Sequence, residues 1–278
     1  MPTVEIDSNA VSVLAAIKDG SVDGVKFCLN AGMFPNPTDP DSDTKNSMHC
    51  MCGLAASLGC SQVLEFLLDE VVYKHEKVED ILFKCAIAIF RARDVNANAV
   101  LLKSTLKFFE TTTLDIGAFS SRCMREFSQE AALARNNDML YLLWEHRDKF
   151  PIPEQWDEAE KKNIGKDKEF LPAVVTGSVF YDDVQLMQYG LDLPDKWQEY
   201  TNQCISTWFR MAMEGHSPQV AKLLFPHIVP FIESNDEYAS TVLKDSLRTG
   251  CYELHLSINH AILNKQKANK ESGVKNTP

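Results

Sequence analysis

Ala16-Ile17-Lys18-Asp19-Gly20, running into Val25-Lys26-Phe27-Cys28-Leu29, has a counterpart further along the chain in Ala55-Ala56-Ser57-Leu58-Gly59, running into Leu64-Glu65-Phe66-Leu67-Leu68. In both, small residues lead to a glycine and an apolar stretch resumes shortly after it. Small side chains let a helix approach its neighbours closely, and glycine takes the left-handed conformation that closes a helix without a Cβ clash. The apolar residues beyond the glycine recur at three- and four-residue steps, which is the stripe of a second helix turning back on the first. A helix–glycine–helix unit met twice points to an all-α chain built as a helical-repeat solenoid.

More copies extend the pattern. Met211-Ala212-Met213-Glu214-Gly215 leads into Val220-Ala221-Lys222-Leu223-Leu224, and Ala131-Ala132-Leu133-Ala134-Arg135 leads into Leu140-Tyr141-Leu142-Leu143-Trp144, with arginine in the glycine's place. Gly177 and Gly250 mark two weaker units. The markers stand at 20, 59, 135, 177, 215 and 250, so the second interval is about double the rest and a further unit belongs between 70 and 115. The apolar runs 81–90 and 99–109, separated by a polar stretch, supply it. Six to seven helix pairs with a period of about 38 residues then fill 11 to 263. Burying one leucine stabilises by roughly 1.5–3 kcal/mol, which does not offset the ordering entropy of a lone pair, so each unit depends on its neighbours.

The stretch from Leu14 to Gly20, through Val25 to Leu29 and on to Ala31-Gly32-Met33-Phe34-Pro35-Asn36, resembles an ankyrin repeat: helix, glycine turn, helix, then a glycine-initiated turn into a projecting finger. Tyr189-Gly190-Leu191-Asp192-Leu193-Pro194 is similar to the same exit turn. The Thr-Pro-Leu-His tetrapeptide that opens family repeats is absent from every unit, and the second carries Cys50-Met51-Cys52-Gly53 there. The period also exceeds the family's 33 residues and approaches the 40–47 of armadillo or HEAT repeats, the structural alternative, while the glycine exits favour ankyrin. The resemblance implies a non-enzymatic scaffold or adaptor that recognises a protein through its finger tips, here Met33, Phe34 and the acidic Asp39, Asp41 and Asp43, with the equivalent loop Leu191 and Asp192. It also implies regulatory work, as a transcription co-regulator or signalling inhibitor, in cytoplasm or nucleus.

Three segments interrupt the pattern. The proline- and aspartate-rich stretch 34–45 cannot continue a helix and reads as an elongated first finger. The insert at 150–170 reads as a hinge in the array, and 264–278 as a disordered polar tail. Trp156 and Trp197 stand in connections beside proline and charged residues, where an indole either serves as an exposed interface anchor or covers the end of a helix pair.

Composition narrows the function classes. The net charge of −11, from 28 basic and 39 acidic residues, opposes direct nucleic-acid or anionic-membrane binding and points to a partner that is basic or mixed in charge. No basic patch is visible ahead of the tail. The start lacks a basic segment followed by an apolar one, so the expectation is an intracellular protein without a secretory signal, and no apolar run reaches the ~18 residues a membrane span needs. Eight cysteines at mostly apolar helical positions read as reduced, buried thiols.

Chemical motifs are sparse. Asp39-Pro40-Asp41-Ser42-Asp43 opens like a calcium loop, but Thr44 replaces the required glycine and Cys50 the bidentate glutamate. His49, Cys50, Cys52 and Cys60 offer soft zinc ligands without a second paired cluster to complete the site. Phosphate loops, nucleophile elbows and His-Glu-x-x-His helices are absent. The expectation is therefore no catalytic residue, no cofactor and no metal. The alternative is an enzyme or a metal-responsive protein with a site between the halves of the array.

Overall fold

The structure is a computed structural model that describes residues 8–31, 44–75, 78–112, 116–151, 167–193 and 198–271. Among these residues there are fourteen α-helices and no strand. They are α1 (Ser8–Lys18), α2 (Val22–Asn30), α3 (Thr44–Ser57), α4 (Ser61–Phe66), α5 (Val78–Ala92), α6 (Val95–Thr111), α7 (Ile116–Leu133) and α8 (Asn137–Glu145), followed by α9 (Asp167–Tyr181), α10 (Val184–Leu191), α11 (Gln198–Glu214), α12 (Pro218–Ser234), α13 (Asp236–Arg248) and α14 (Tyr252–Glu271). A π-helical segment, Leu67–Val72, prolongs α4, and a short 3-10 turn, Arg147–Lys149, follows α8.

Seven described residues adopt a left-handed backbone, and each closes the first helix of a pair: Gly20, Gly59, Arg93, Arg135, Asp182, His216 and Gly250, with φ between 52° and 73°. At these turns the amide of the left-handed residue donates to the carbonyl three residues back, as in Gly20 N to Ile17 O at 3.0 Å. At six of them the next amide reaches five residues back, as in Ser21 N to Ala16 O at 2.9 Å and Asn136 N to Ala131 O at 2.8 Å. This is a Schellman closure, which satisfies the orphan carbonyls of a helix end. The residue after the turn then caps the second helix. Ser21, Asp94, Asn136 and Asp183 each accept from an amide three residues on. One residue thus ends a helix and the next begins another, giving a tight antiparallel pair.

The pair expected between 70 and 115 is α5 and α6, joined at Arg93. Two markers move. Gly177 lies inside α9 and the turn falls at Asp182, because Val174, Val175 and Val179 carry the buried stripe past the glycine and Asp183 supplies the next cap. Gly215 precedes the left-handed His216; its role is steric, since a Cβ there would stand 2.9 Å from Val179 Cγ1. At 264 the expected tail does not begin: α14 continues to Glu271, with Lys265 half-buried and paired to Asp236.

Contacts divide the chain into two compact units, residues 1–173 and 174–278, with the division inside α9. In the first unit the leading helices pack in the order α1, α3, α5, α7, the second helices in the order α2, α4, α6, α8, and partners pack within each pair. An aromatic cluster joins α5, α6 and α7, where Phe90 meets Phe127 and Phe108 meets Phe119 with ring centroids 5.8 and 5.9 Å apart. In the second unit α11 packs on α13, and α12 lies against both α10 and α14.

Neighbouring pairs are tied by a recurring hydrogen bond from the cap residue of one pair to the last turn of the preceding first helix. Cys60 Sγ donates to Ile17 O at 3.3 Å and Asn136 Nδ2 to Phe90 O at 3.2 Å, while the Ser217 hydroxyl donates to Val179 O. In all three the acceptor is three residues ahead of the left-handed residue. Asp182 adds a second tie: its carboxylate accepts from Gln219 N at 3.0 Å and Val220 N at 2.9 Å, capping α12 from the preceding pair where Ser217 makes no side-chain cap. Asp182→Ala should therefore cost about 1 kcal/mol and speed amide exchange at Gln219 and Val220, with Asp182→Asn restoring most of the protection. Unchanged exchange in the alanine variant would refute the capping role.

Two buried thiols and a half-buried tyrosine give unit 1 an alkaline weakness. A hydrogen bond to Cys52 and then burial push the Cys85 thiol up, while burial is the main cause for Cys123 and for Tyr73. The folded state holds the neutral forms, whereas in the unfolded chain thiols ionise near pH 8.5 and tyrosine near pH 10. Stability is thus fully present below about pH 8.5 and declines as pH rises above it. Urea unfolding at pH 7, 8.5 and 10 should show this decline, and Cys123→Ala should make it shallower.

Candidate interaction face

Each unit exposes large apolar side chains near the ends of its first helices. In unit 1 these are Leu14 at 36% exposure, Leu58 at 47% and Leu133 at 45%; in unit 2 they are Met211 at 36%, Leu247 at 51% and, on α9, Phe180 at 68%. Other residues of the same helices, such as Ile17, Ala55, Ala131, Ala212 and Val242, are buried. Amphipathic patterning explains the buried side but not the leucines left in water.

The first-helix side of unit 1 also holds a cavity of about 390 Å³ between α5 and α7, lined by Ile87, Arg91, Arg93, Glu130, Leu133 and Ala134. Ile87 and Leu133 give it aliphatic walls. Arg93 is held in place by its own left-handed backbone and by Nε donating to Ala134 O at 2.9 Å. Burial, then the Glu126 charge, raise the pKa of Glu130, and Arg91 opposes them.

Charge pairing distinguishes this cavity. Among the described residues Arg122 pairs with Glu79, Arg125 with Glu126, Arg147 with Asp148, Arg210 with Asp245 and Arg248 with Glu214, whereas neither Arg91 nor Arg93 forms an ion pair. In a chain with an excess of acid, two nearby arginines whose one cavity carboxylate, Glu130, lies outside ion-pair distance are an exception. The cavity between the π-helical segment and α6, about 320 Å³, differs: its lysines are neutralised by Asp69 with Lys107 and by Glu70 with Lys74. Its Tyr73 hydroxyl donates to Thr105 Oγ1 at 2.6 Å, since that threonine's own proton goes to Leu101 O. A third cavity of about 320 Å³, between α12 and α14, contains the Lys222–Glu253 pair. Comparison with protein-family models, curated proteins and solved structures gave no significant match.

Most residues singled out from sequence fall elsewhere. Met33, Phe34, Asp39, Asp41, Asp43, Trp156 and Trp197 lie outside the described residues, as does the core of the 150–170 insert. Leu191 is half-buried at the end of α10, and Asp192 beside it is exposed and accepts from Gln188 Nε2 at 2.8 Å. Cys52 is buried, Cys60 is spent on Ile17 O, and Cys50 lies 3.5 Å from His49 Nε2. The four do not gather, and among the described residues no three histidine, cysteine or carboxylate groups could share a metal ion. No described helix is long and apolar enough to cross a membrane. Sequence reasoning missed Arg91 and Arg93 because it sought basic residues as a run, and here a turn and a neighbouring helix assemble the cluster. The available signal was Arg93 and Arg135, both arginines standing at the marker position of adjacent units.

Proposed function

We propose that this protein is a non-enzymatic adaptor, a degenerate ankyrin-like array that holds another protein against the exposed side of its first helices and serves regulation in cytoplasm or nucleus. The observation that supports it is the recurrence of exposed Leu14, Leu58 and Leu133 in unit 1 and of Met211 and Leu247 in unit 2 in or just after the C-terminal half of first helices. Exposure of a large apolar group on one first helix after another is costly in water and is a mark of surfaces kept for a partner. The neighbour-order packing and the recurring hydrogen bond between pairs favour a repeat array, since each unit is specified by the one before it. The aliphatic walls and shallow cavities offer anchoring points rather than a convergent set of reacting groups.

The test compares capture of cellular proteins by the full chain with capture by Leu58→Ser/Leu133→Ser, after circular dichroism shows that the variant keeps its helices. The expected result is a defined protein retained by the first and lost from the second. An identical set on both would reject the face as the binding surface.

A further inference from the structure

We propose that the α5–α7 cavity seats an acidic peptide segment of a partner protein, with an aliphatic side chain against Ile87 and Leu133 and flanking carboxylates on Arg91 and Arg93. This deepens the adaptor function and rests on it, and it reverses the partner charge that overall composition implies. Three observations carry it. Part of the wall is aliphatic, from Ile87 and from Leu133 at 45% exposure, so an apolar anchor finds surface to bury. Arg91 and Arg93 have no ion pair among the described residues, while five other arginines do. Arg93 is held at the cavity by its bond to Ala134 O, which pre-orders the guanidinium and lowers the ordering cost of binding a carboxylate.

A guanidinium pair also suits phosphate, so a nucleic acid is the competing class. The lining contains no aromatic ring on which a base could stack, and the chain's charge of −11 repels a continuous phosphate backbone. A short carboxylate segment with an apolar residue meets less of that repulsion, because the contact is local and screened beyond roughly 8 Å at physiological salt. Glu130 is the one acid in the lining and opposes such a segment, which gives the proposal a signed internal check.

The probe is a displayed library of random twelve-residue peptides selected on the full chain, with a labelled single-stranded oligonucleotide as competitor. Enriched peptides should carry Leu or Ile flanked by Asp or Glu. In fluorescence polarisation, Arg91→Glu should weaken the enriched peptide about tenfold and Glu130→Gln should tighten it. Lys244→Glu, an equal charge change at an exposed site in the other unit, should leave binding within about twofold. Enrichment of basic peptides would overturn the acidic segment while leaving the adaptor function standing. Equal losses in Arg91→Glu and Lys244→Glu would overturn the cavity as the site, and displacement by the oligonucleotide would overturn the peptide as occupant. Retention of no peptide, with no protein captured by the first-helix face, would remove both proposals.

Discussion

Asn136→Ala is expected to destabilise the first unit by about 2–4 kcal/mol. Asn136 is 3% exposed and uses its whole amide. Nδ2 donates to Phe90 O at 3.2 Å and to Asn98 Oδ1 at 3.0 Å, while Oδ1 accepts from Asn98 Nδ2 at 2.9 Å and from Met139 N at 3.1 Å. Truncation therefore strands a carbonyl, an amide N–H and both ends of the buried Asn98 side chain. Because the stranded partner carries much of the loss, the double variant Asn98→Ala/Asn136→Ala should cost clearly less than the two single changes combined. Urea unfolding of the four proteins measures this, and strict additivity would mean that the reciprocal amide pair does not form.

Gly53→Leu is the second large effect, a loss of about 3 kcal/mol. A Cβ at position 53 would stand 2.9 Å from the Ala88 Cβ, so the α3 backbone packs directly against the Ala88 methyl of α5 at this point. Even Gly53→Ala should destabilise, although alanine gains about 1 kcal/mol over glycine in helix propensity, because the neighbouring helix cannot move away without opening the interface. Ala88→Gly alone should lose stability through propensity, yet restore it in the Gly53→Ala background. That reversal of sign separates a steric contact from a general helix effect. If Gly53→Ala proves stabilising in thermal melts, the close approach is wrong.

Both positions show why part of the fold was legible and part was not. The helix pairs could be read because 3.6-residue periodicity and a left-handed helix stop are local, and Gly20 and Gly59 state them within one turn of chain. The same conformation at Arg93, Arg135, Asp182 and His216 has no glycine to announce it. It is stabilised there by closures that any residue can make once the next helix is held in place by packing. Gly177 misled for the complementary reason: a glycine allows a left-handed turn but does not require one, and the buried valines around it carried α9 onward.

The candidate site was harder to read than the fold. Charge summed over the chain gave an acidic protein and hence a basic or mixed partner. Salt bridges between neighbouring pairs consume that charge unevenly. Lys103 reaches Glu65 and Arg122 reaches Glu79, each across a gap of roughly one repeat, whereas Arg91 and Arg93 meet a cavity instead. The local sign therefore differs from the total.

By itself the sequence determined that the chain is all-helical and that its helices come in pairs, because periodicity, capping side chains and chain reversal act over a few residues and leave their pattern in order along the chain. Only the tertiary structure decided which carbonyl each cap residue reaches in the preceding pair, which glycine marks a close approach rather than a turn, and which arginines form no ion pair. Those outcomes depend on distances between residues about 40 positions apart, and such distances are set by packing.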